Sequence, residues 1–580
     1  MYSRNTVLLL LLCLLGFSLR MGAGLLLPNI LFPDELIQSL EQAHRLVYGY
    51  GVVPWEFIYG FRSWLLPGFL ASVIYATGWI AEGSAGYLAG VTAALSLLSL
   101  TIVVVAFWWG ERSGGAIGAV LAAFACAVWF ELVYFAPKAF HEVVATHLLI
   151  LGVYFSLRRQ GEESRKWLFG AGFLFGLTLA LRIHLAPAVA VAALYTCRAD
   201  LRRRWLPMVT GALIPVLGAG LLDWLTWSSP FESYIKYIDF WLHTNEFRDA
   251  ARGLEIGGSS KGFSEPLRNV VHPWQIYFKI LANLWSWGLI PLGALGVFGA
   301  RRYPLPALVA ATILITHTLI PHKEYRLIYP VIALFILLSG LGAAEVYALI
   351  RNRWESPKPE IAWAAASLVL FASLSLILAT RFTPQRTLYA EKMDYGSTDH
   401  WHGYSGSLRA FERLSTEKTL CGVGMGGLDW WWSGGYAYLH RDVPIFKVSA
   451  ETLNQTALGF NFLVYRNLGA NRIGPYIKTQ CWGSTCLYKR PGPCAEIEGP
   501  HIGGRYEATV SNIEERAARE AMQEGALVSY TSRDRSMRVE AEPVRYDEFT
   551  KCHIVRVKLW KRGSLIKDEE TLVCQPEKRR

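Results

Sequence analysis

Asp34 and Glu35 stand side by side in LFPDELIQSL, residues 31–40, a few positions beyond an apolar segment long enough to cross a bilayer. A carboxylate at a membrane surface can take the proton of a hydroxyl as that hydroxyl attacks an electrophile. Two neighbouring acids can raise one another's pKa, or one can bind substrate while the other reacts. The plainer reading is helix-start chemistry, because acids favour the positive end of a helix dipole. A second chemical group lies far along the chain, in HKEYRLIYP, residues 322–330. His322, Lys323 and Arg326 there suit a phosphate held near the headgroup level, Arg as a planar fork and Lys as a point charge. Glu324 would hold one of those basic side chains in place. The plainer reading is a solvated turn with snorkelling residues.

Other residues could wall such a site. After Asp34, the residues Leu36, Ile37, Leu40, Ala43, Leu46 and Val47 fall on one face of a helix. Pro33 suits its first turn, and Gly49-Tyr50-Gly51 ends it. His44 and Arg45 ride on this helix, and Trp55 and Glu56 follow in VPWEF. Lys138 and His141 (APKAFHEV) and Arg182 and His184 (LRIHLAP) are ionisable groups near helix ends, costly there unless paired or lining a wet cavity. His272 and Trp274, in VVHPWQIYF (270–278), offer rings for a sugar or a headgroup, although aromatic residues collect at membrane interfaces in any case. The sequence holds no HExxH, no pair of CxxC motifs at zinc spacing and no Walker loop, so no metal site or ATP-driven pump is read from it.

The elements that must position these groups are apolar. Of 580 residues 52% are hydrophobic and 18% charged, against about 25% charged in a soluble domain. Apolar blocks fall at 6–27, 86–108, 115–134, 141–157, 167–182, 184–197, 206–225, 276–298, 304–320, 327–349 and 361–380, eleven expected membrane helices. No convincing small-x-small cleavage site precedes Pro28, so the first block reads as a retained helix. The net charge is +11, but many basic residues sit in short clusters between blocks, at 158–166, 197–204, 301–302 and 351–358. With the N-terminus inside, all four clusters face the cytoplasm, as the positive-inside rule asks. That distribution excludes a nucleic-acid binder. Residues 63–80 would reverse the later loops if they spanned, so they read as interfacial or re-entrant. Loops 28–85 and 321–327 then share the outer face. From 381 onward the chain is mixed polar and apolar. It carries Cys421, Cys481, Cys486, Cys494, Cys552 and Cys574, which point to disulfides in an external domain. Alternation near 536–545 and 552–561 reads as strands, and 511–526 as a helix. The aromatic stretch GLDWWWSGGYAYLHR (427–441) reads as domain core or as a glycan-binding surface.

Three motifs together resemble glycosyltransferase family 22. FPDELIQSLEQAHRLVYGYGVVPWEF with RSWLLPG is similar to its first external loop, HPWQIYF to its His-Pro-Trp element, and HKEYRLIYP to its His-Lys-Glu-x-Arg signature. They occur in the family's order over residues 32–330. The chain departs from the pattern at Phe32, where many relatives carry His, at Pro54, where Thr is usual, and at RIHLAP, where Arg-Pro-Thr is usual. The resemblance implies a polytopic α-helical membrane protein of the GT-C type over 1–380; it is weaker over 381–580, which composition and cysteines mark as a C-terminal extracytoplasmic α/β domain. It implies an inverting transferase moving mannose from a polyprenyl-phosphate-linked donor to a glycan or glycolipid acceptor. Asp34 would be the base with Glu35 beside it, and His322, Lys323 and Arg326 would hold the donor phosphate. His44, Arg45, Trp55, Glu56, Arg182, His184, His272 and Trp274 would contact substrate. No cofactor is required, because cations of the chain can stabilise the leaving phosphate. The partners are membrane lipids, the lipid-linked donor and the acceptor. The expected location is a bacterial inner membrane with a periplasmic site, the alternative being the endoplasmic reticulum with a lumenal one. Rival readings are a transferase of another lipid-linked sugar, arabinose or glucose, and a polytopic transporter or flippase. The clustering of acidic and basic motifs at one face, and the lack of a clear repeat with broken helices, weigh against the transporter.

Overall fold

A computed structural model describes residues 4–158 except 59, 164–243, 272–384 except 321, 400–495 except 429, 450–452 and 467–469, and parts of 501–573. The chain forms two compact units. One comprises Met1–Gly49, Val53–Thr416 and Trp431–His440, the other Tyr50–Val52, Glu417–Trp430 and Arg441–Arg580.

The first unit is helical. Its helices are α1 (Arg4–Leu26), α2 (Glu41–Tyr48), α3 (Leu65–Thr77), α4 (Ala85–Ser99), α5 (Thr101–Val128), α6 (Phe130–Phe135), α7 (His141–Ser156) and α8 (Ser164–Leu181). Then come α9 (Ala186–Cys197), α10 (Leu206–Thr226), α11 (Glu232–His243), α12 (Ile276–Trp285), α13 (Leu289–Arg302), α14 (Pro304–Leu319), α15 (Tyr329–Arg353) and α16 (Lys358–Ala379). Every apolar block read from the sequence coincides with helix. Among the described residues, six helical stretches are long and apolar enough to cross a membrane: Arg4–Leu26, Ala85–Val128, Leu201–Thr226, Ile276–Arg302, Tyr325–Arg353 and Lys358–Ala379. α5 is two helices joined at Gly114 and Gly115, and Gly115 supplies the reversal with φ +66°. α3 has 13 residues, about 20 Å at the α-helical rise, short of a hydrocarbon core of about 30 Å.

Packing explains which helices lie inside. α15 is buried almost all the way round, as a helix without a polar face must be. It crosses α13 so closely that a Cβ on Gly342 would lie 1.8 Å from the Leu295 carbonyl oxygen, and one on Gly299 2.0 Å from that of Leu338. Close crossings through small residues are how helices gain dispersion energy where lipid removes the hydrophobic drive. α8 and α10 meet the same way at Gly172 and Gly211. α1 turns Arg20 inward, where its Nε donates to Ser99 Oγ at 2.7 Å. The rest of the guanidinium donates to the carbonyls of Gly16, Ala127 and Cys126 at 3.0, 2.9 and 3.1 Å. That full set of acceptors is what makes a buried charge tolerable.

The second unit is β-rich. Strands β1 (Val423–Gly426), β2 (Ile445–Val448), β3 (Phe462–Arg466), β4 (Arg472–Ile473), β5 (Tyr476–Trp482), β6 (Thr485–Lys489) and β7 (His501–Ile502) form one sheet in the order β4-β5-β6-β3-β1-β2-β7. β8 (Val528–Thr531), β9 (Met537–Asp547), β10 (Cys552–Lys561) and β11 (Ser564–Val573) form an antiparallel sheet. In β10, Val555, Val557 and Leu559 are buried and alternate with polar residues, the period of a half-buried strand. Ala517, Ala518, Ala521 and Met522 pack on that face, and the rest of the helix expected over 511–526 lies mostly outside the described residues. Disulfides join Cys421 to Cys494 and Cys481 to Cys486.

Candidate active site

The segment that presents the acids is a widened helical turn. The Pro33 carbonyl accepts from the amides of Leu36 and Ile37 at 3.0 and 2.9 Å, so the helix starts at the proline. Glu35–Leu40 is π-helical and runs on into α2, which ends at Gly49 with φ 80°. On this turn the adjacent acids meet different surroundings. Asp34 keeps 28% of its side chain exposed, and its Oδ2 accepts from Arg326 Nη2. Glu35 keeps 6%, and both its oxygens accept from Lys138 Nζ at 3.1 Å. The Leu31 amide also donates to Glu35, at 3.0 Å. Burial pushes the Glu35 carboxyl above its ordinary range and draws the Lys138 ammonium below its own, and each charge partly restores the other.

The 322–330 motif folds as an extended residue, Glu324, followed by a tight turn over Tyr325–Ile328. Its side chains divide between two directions. Arg326 donates through Nη2 to Asp34 and through Nε to Glu324, and its guanidinium lies 5.1 Å from the ring centres of both Phe32 and Phe140. The guanidinium is thus held between two carboxylates, Asp34 and Glu324. Glu324 also meets His322 Nε2 at 3.0 Å. Burial would raise the Glu324 carboxyl, but Arg326 and His322 hold it below its ordinary range. Lys323 and Tyr325 point inward. Lys323 donates to the carbonyls of His317 and Thr318, each at 2.9 Å, and of Ile320. These close the C-terminal end of α14, where a cation is favoured, and burial lowers the ammonium to about 8. The Tyr325 hydroxyl donates to Glu131, which also accepts from Trp129 Nε1 at 2.7 Å and Trp285 Nε1 at 3.0 Å.

Of the remaining expected residues, Glu56 lies within electrostatic reach of Asp34, and Arg182 and His184 act with Arg326 on the same carboxylate, Glu142. Glu56 accepts from Gln38 Nε2 at 2.6 Å, and burial raises its carboxyl. Trp55 starts the one-turn helix Trp55–Ile58, and its side chain lies outside the described residues. His44 is buried against Tyr48, with its Nε2 3.1 Å from His440 Nδ1. Arg45 donates to Gln42 Oε1 at 2.8 Å. Arg182 pairs with Glu142 at 2.5 Å, both buried, and the His184 ring centre lies 5.0 Å from that of His317. His272 is half-buried and Trp274 is 64% exposed just before α12. The structure thus joins Asp34, Arg326, Glu324 and His322 in one chain of polar contacts. Glu35 sits in a separate buried pair, Lys323 at a helix end, and His44 in an aromatic cluster. Two partners, Glu142 and Gln38, are not among the residues expected from the sequence. The signal for Glu142 was an acid inside an apolar block, and nothing local marks Gln38.

Residues 10–222 and 271–401, more than half the chain, match the Alg9-like mannosyltransferase family. The chain is 26% identical over 349 residues to mannosyltransferase APTG1 of Arabidopsis thaliana, covering 57% of this chain and 58% of that protein. It is 25% identical over 440 residues to GPI mannosyltransferase 3 of Yarrowia lipolytica, covering 75% and 76%. In fold it is similar to ArnT from Cupriavidus metallidurans bound to undecaprenyl phosphate, with a TM-score of 0.52 at 10% identity over 84% of this chain and 98% of that one. The architecture is therefore that of a GT-C membrane protein, and the chain belongs to the Alg9-like mannosyltransferase family.

Proposed function

We propose that the chain transfers mannose from a polyprenyl-phosphate-linked donor to a hydroxyl of a glycan or glycolipid acceptor, with inversion at the anomeric carbon. The observation that supports this most is the contact of Asp34 with Arg326, a partly exposed carboxylate held against a buried guanidinium. Asp34 takes the proton of the acceptor hydroxyl. The acceptor oxygen bonds to the anomeric carbon, and the carbon–oxygen bond to phosphate breaks with its electron pair on the phosphate. Charge then develops on phosphate oxygen, and Arg326 with His322 stabilises it without reorganisation. Lys323 supports the motif from behind by closing the end of α14. Glu35 fixes the π-turn through Lys138. Trp274 offers an exposed ring for a sugar face or a headgroup. No divalent metal is needed in this scheme, so chelation with EDTA is expected to leave transfer unchanged.

The site faces the periplasm or lumen in this reading. The basic loops support that orientation, and so do the disulfides Cys421–Cys494 and Cys481–Cys486, which belong to an oxidising compartment. A bacterial inner membrane is the first choice and the endoplasmic reticulum the second. The test is radiolabelled mannose transfer from polyprenyl-phosphate mannose, in membranes carrying wild type or Asp34→Asn, with the host's lipid extract as acceptor. Label in a glycolipid with wild type alone is the expected result. No label with wild type overturns the mannose donor, and equal label with both overturns Asp34 as base.

A further inference from the structure

We infer that the cavity walled by Arg62, His141, Arg182 and His184 is a second anion site, built to take the phosphate of a lipid-borne substrate. This rests on the proposed transferase reading and adds a binding site to it. The cavity has a volume of about 40 Å³ and lies in the first unit. Arg62 comes from the loop before α3, His141 opens α7, and Arg182 and His184 occupy the turn between α8 and α9. Ser233, Tyr234 and Tyr237 of α11 complete the wall. Two guanidiniums and two imidazoles therefore face one small space, and no carboxylate is among the described residues lining it.

The partners of these groups are what make the cavity a site. Arg182 is nine-tenths buried, with 6% of its side chain exposed, and spends Nη2 on Glu142 behind it at 2.5 Å. Its Nε is buried and has no hydrogen-bond partner, and the same holds for Arg62 Nε and His184 Nε2. Buried donors in native structures are nearly always satisfied, so three unsatisfied ring or guanidine nitrogens around one cavity call for an acceptor. In contrast, Arg326 has already spent Nε and Nη2 on carboxylates. Among the described residues, Arg182 gives one nitrogen to Glu142 and Arg62 gives none to a carboxylate by hydrogen bond, so one full fork and part of a second are left to match the oxygens of a phosphate. The other wall fits a lipid carrier. The Tyr234 hydroxyl donates to the Ala180 carbonyl at 2.5 Å and ties α11 to the end of α8. Ile235 and Ile238, on the same helix, are exposed and apolar, a surface along which an acyl or prenyl chain can lie while its phosphate sits in the cavity. The phosphate is one carried by the acceptor glycolipid where Arg326 holds the donor's, or the donor's own in place of that contact, and the two are separated by which substrate loses affinity.

The test uses full-length protein in detergent with Arg62→Gln and Arg182→Lys. The readouts are kcat, the KM for polyprenyl-phosphate mannose, the KM for the acceptor lipid, and binding of sugar-free polyprenyl phosphate. Arg62→Gln is expected to raise one KM by about tenfold, the loss of one charge-assisted contact, with kcat within about threefold. A higher donor KM together with weaker polyprenyl-phosphate binding assigns the cavity to the donor. A higher acceptor KM alone assigns it to the acceptor. Both KM values within about twofold of wild type in Arg62→Gln and Arg182→Lys, with unchanged thermal unfolding, overturn the site. Should Arg182→Lys fail to fold, because Glu142 is buried beside it, the half-exposed Arg62 decides alone. Wild type without mannosyl transfer would sink the transferase reading instead, and polyprenyl-phosphate binding by Arg62→Gln against wild type then decides the cavity.

Discussion

The ion pair of Asp34 with Arg326 and that of Glu35 with Lys138 begin one residue apart, and they differ in what surrounds them. The first lies at the edge of accessible space, shares its guanidinium with Glu324 and leaves Asp34 28% exposed. The second is closed, with both carboxylate oxygens on one ammonium and both partners 6% exposed. A buried pair fixes geometry and costs desolvation, whereas a half-exposed one can still meet a substrate. Neighbouring acids on a π-helical turn can therefore be divided into a reagent and a strut, and the environment makes the division.

Substitutions can break that contrast or sharpen it. Asp34→Asn is expected to lower mannosyl transfer by about a hundredfold to ten-thousandfold, the range of a lost general base, while thermal unfolding stays close to wild type. Equal losses of transfer and stability would erase the difference between the pairs. Lys138→Met, which leaves Glu35 buried and unpaired, should cost about 3–5 kcal/mol of stability. Glu35→Gln added to it should restore more than half, a recovery that a double-mutant cycle in detergent would measure. Lys323 gives a pH test. Its folded-state ammonium, near 8, lies below that of the unfolded chain, so between those values the unfolded state binds more protons and stability rises with pH. The cost of burying its charge is thus full below about pH 8 and fades above it, and Lys323→Met should flatten the rise seen in wild type from pH 8 to about 10.4. Chemical denaturation at stepped pH reads that slope. Phe32→Leu should have the smallest effect, about 1 kcal/mol for one lost face of the cation–π sandwich on Arg326, with transfer down several-fold at most.

Local rules carried much of the fold. Pro33 starting a helix and Gly49 ending it, the apolar blocks, and the alternation in β10 are each written within a few residues, and the structure has them where the pattern places them. The Asp34–Arg326 contact was within reach of motif order. The rest depends on pairings that no window contains. Glu35 finds Lys138 103 residues away, and Arg182 finds Glu142 across a helix end. Lys323 looks like a phosphate ligand by residue type, yet its ammonium donates to the carbonyls at the end of α14 that the helix itself leaves without a partner. Phe32, a departure from the family pattern, makes sense only once Phe140 and Arg326 are seen beside it.

Tyr325 has a consequence for how the site responds to its solution. It lies between Glu324 and Arg326 and is tied to Glu131, a carboxylate with three donors in the interior. The turn is therefore pinned at its middle, in a region that bulk ions do not enter. Screening acts over about 8 Å at physiological ionic strength, so added salt weakens the attraction felt by an arriving anionic substrate while the spacing of Asp34 and Arg326 stays fixed. Ionic strength should tune how often the site is occupied and leave the rate of the bound complex nearly constant.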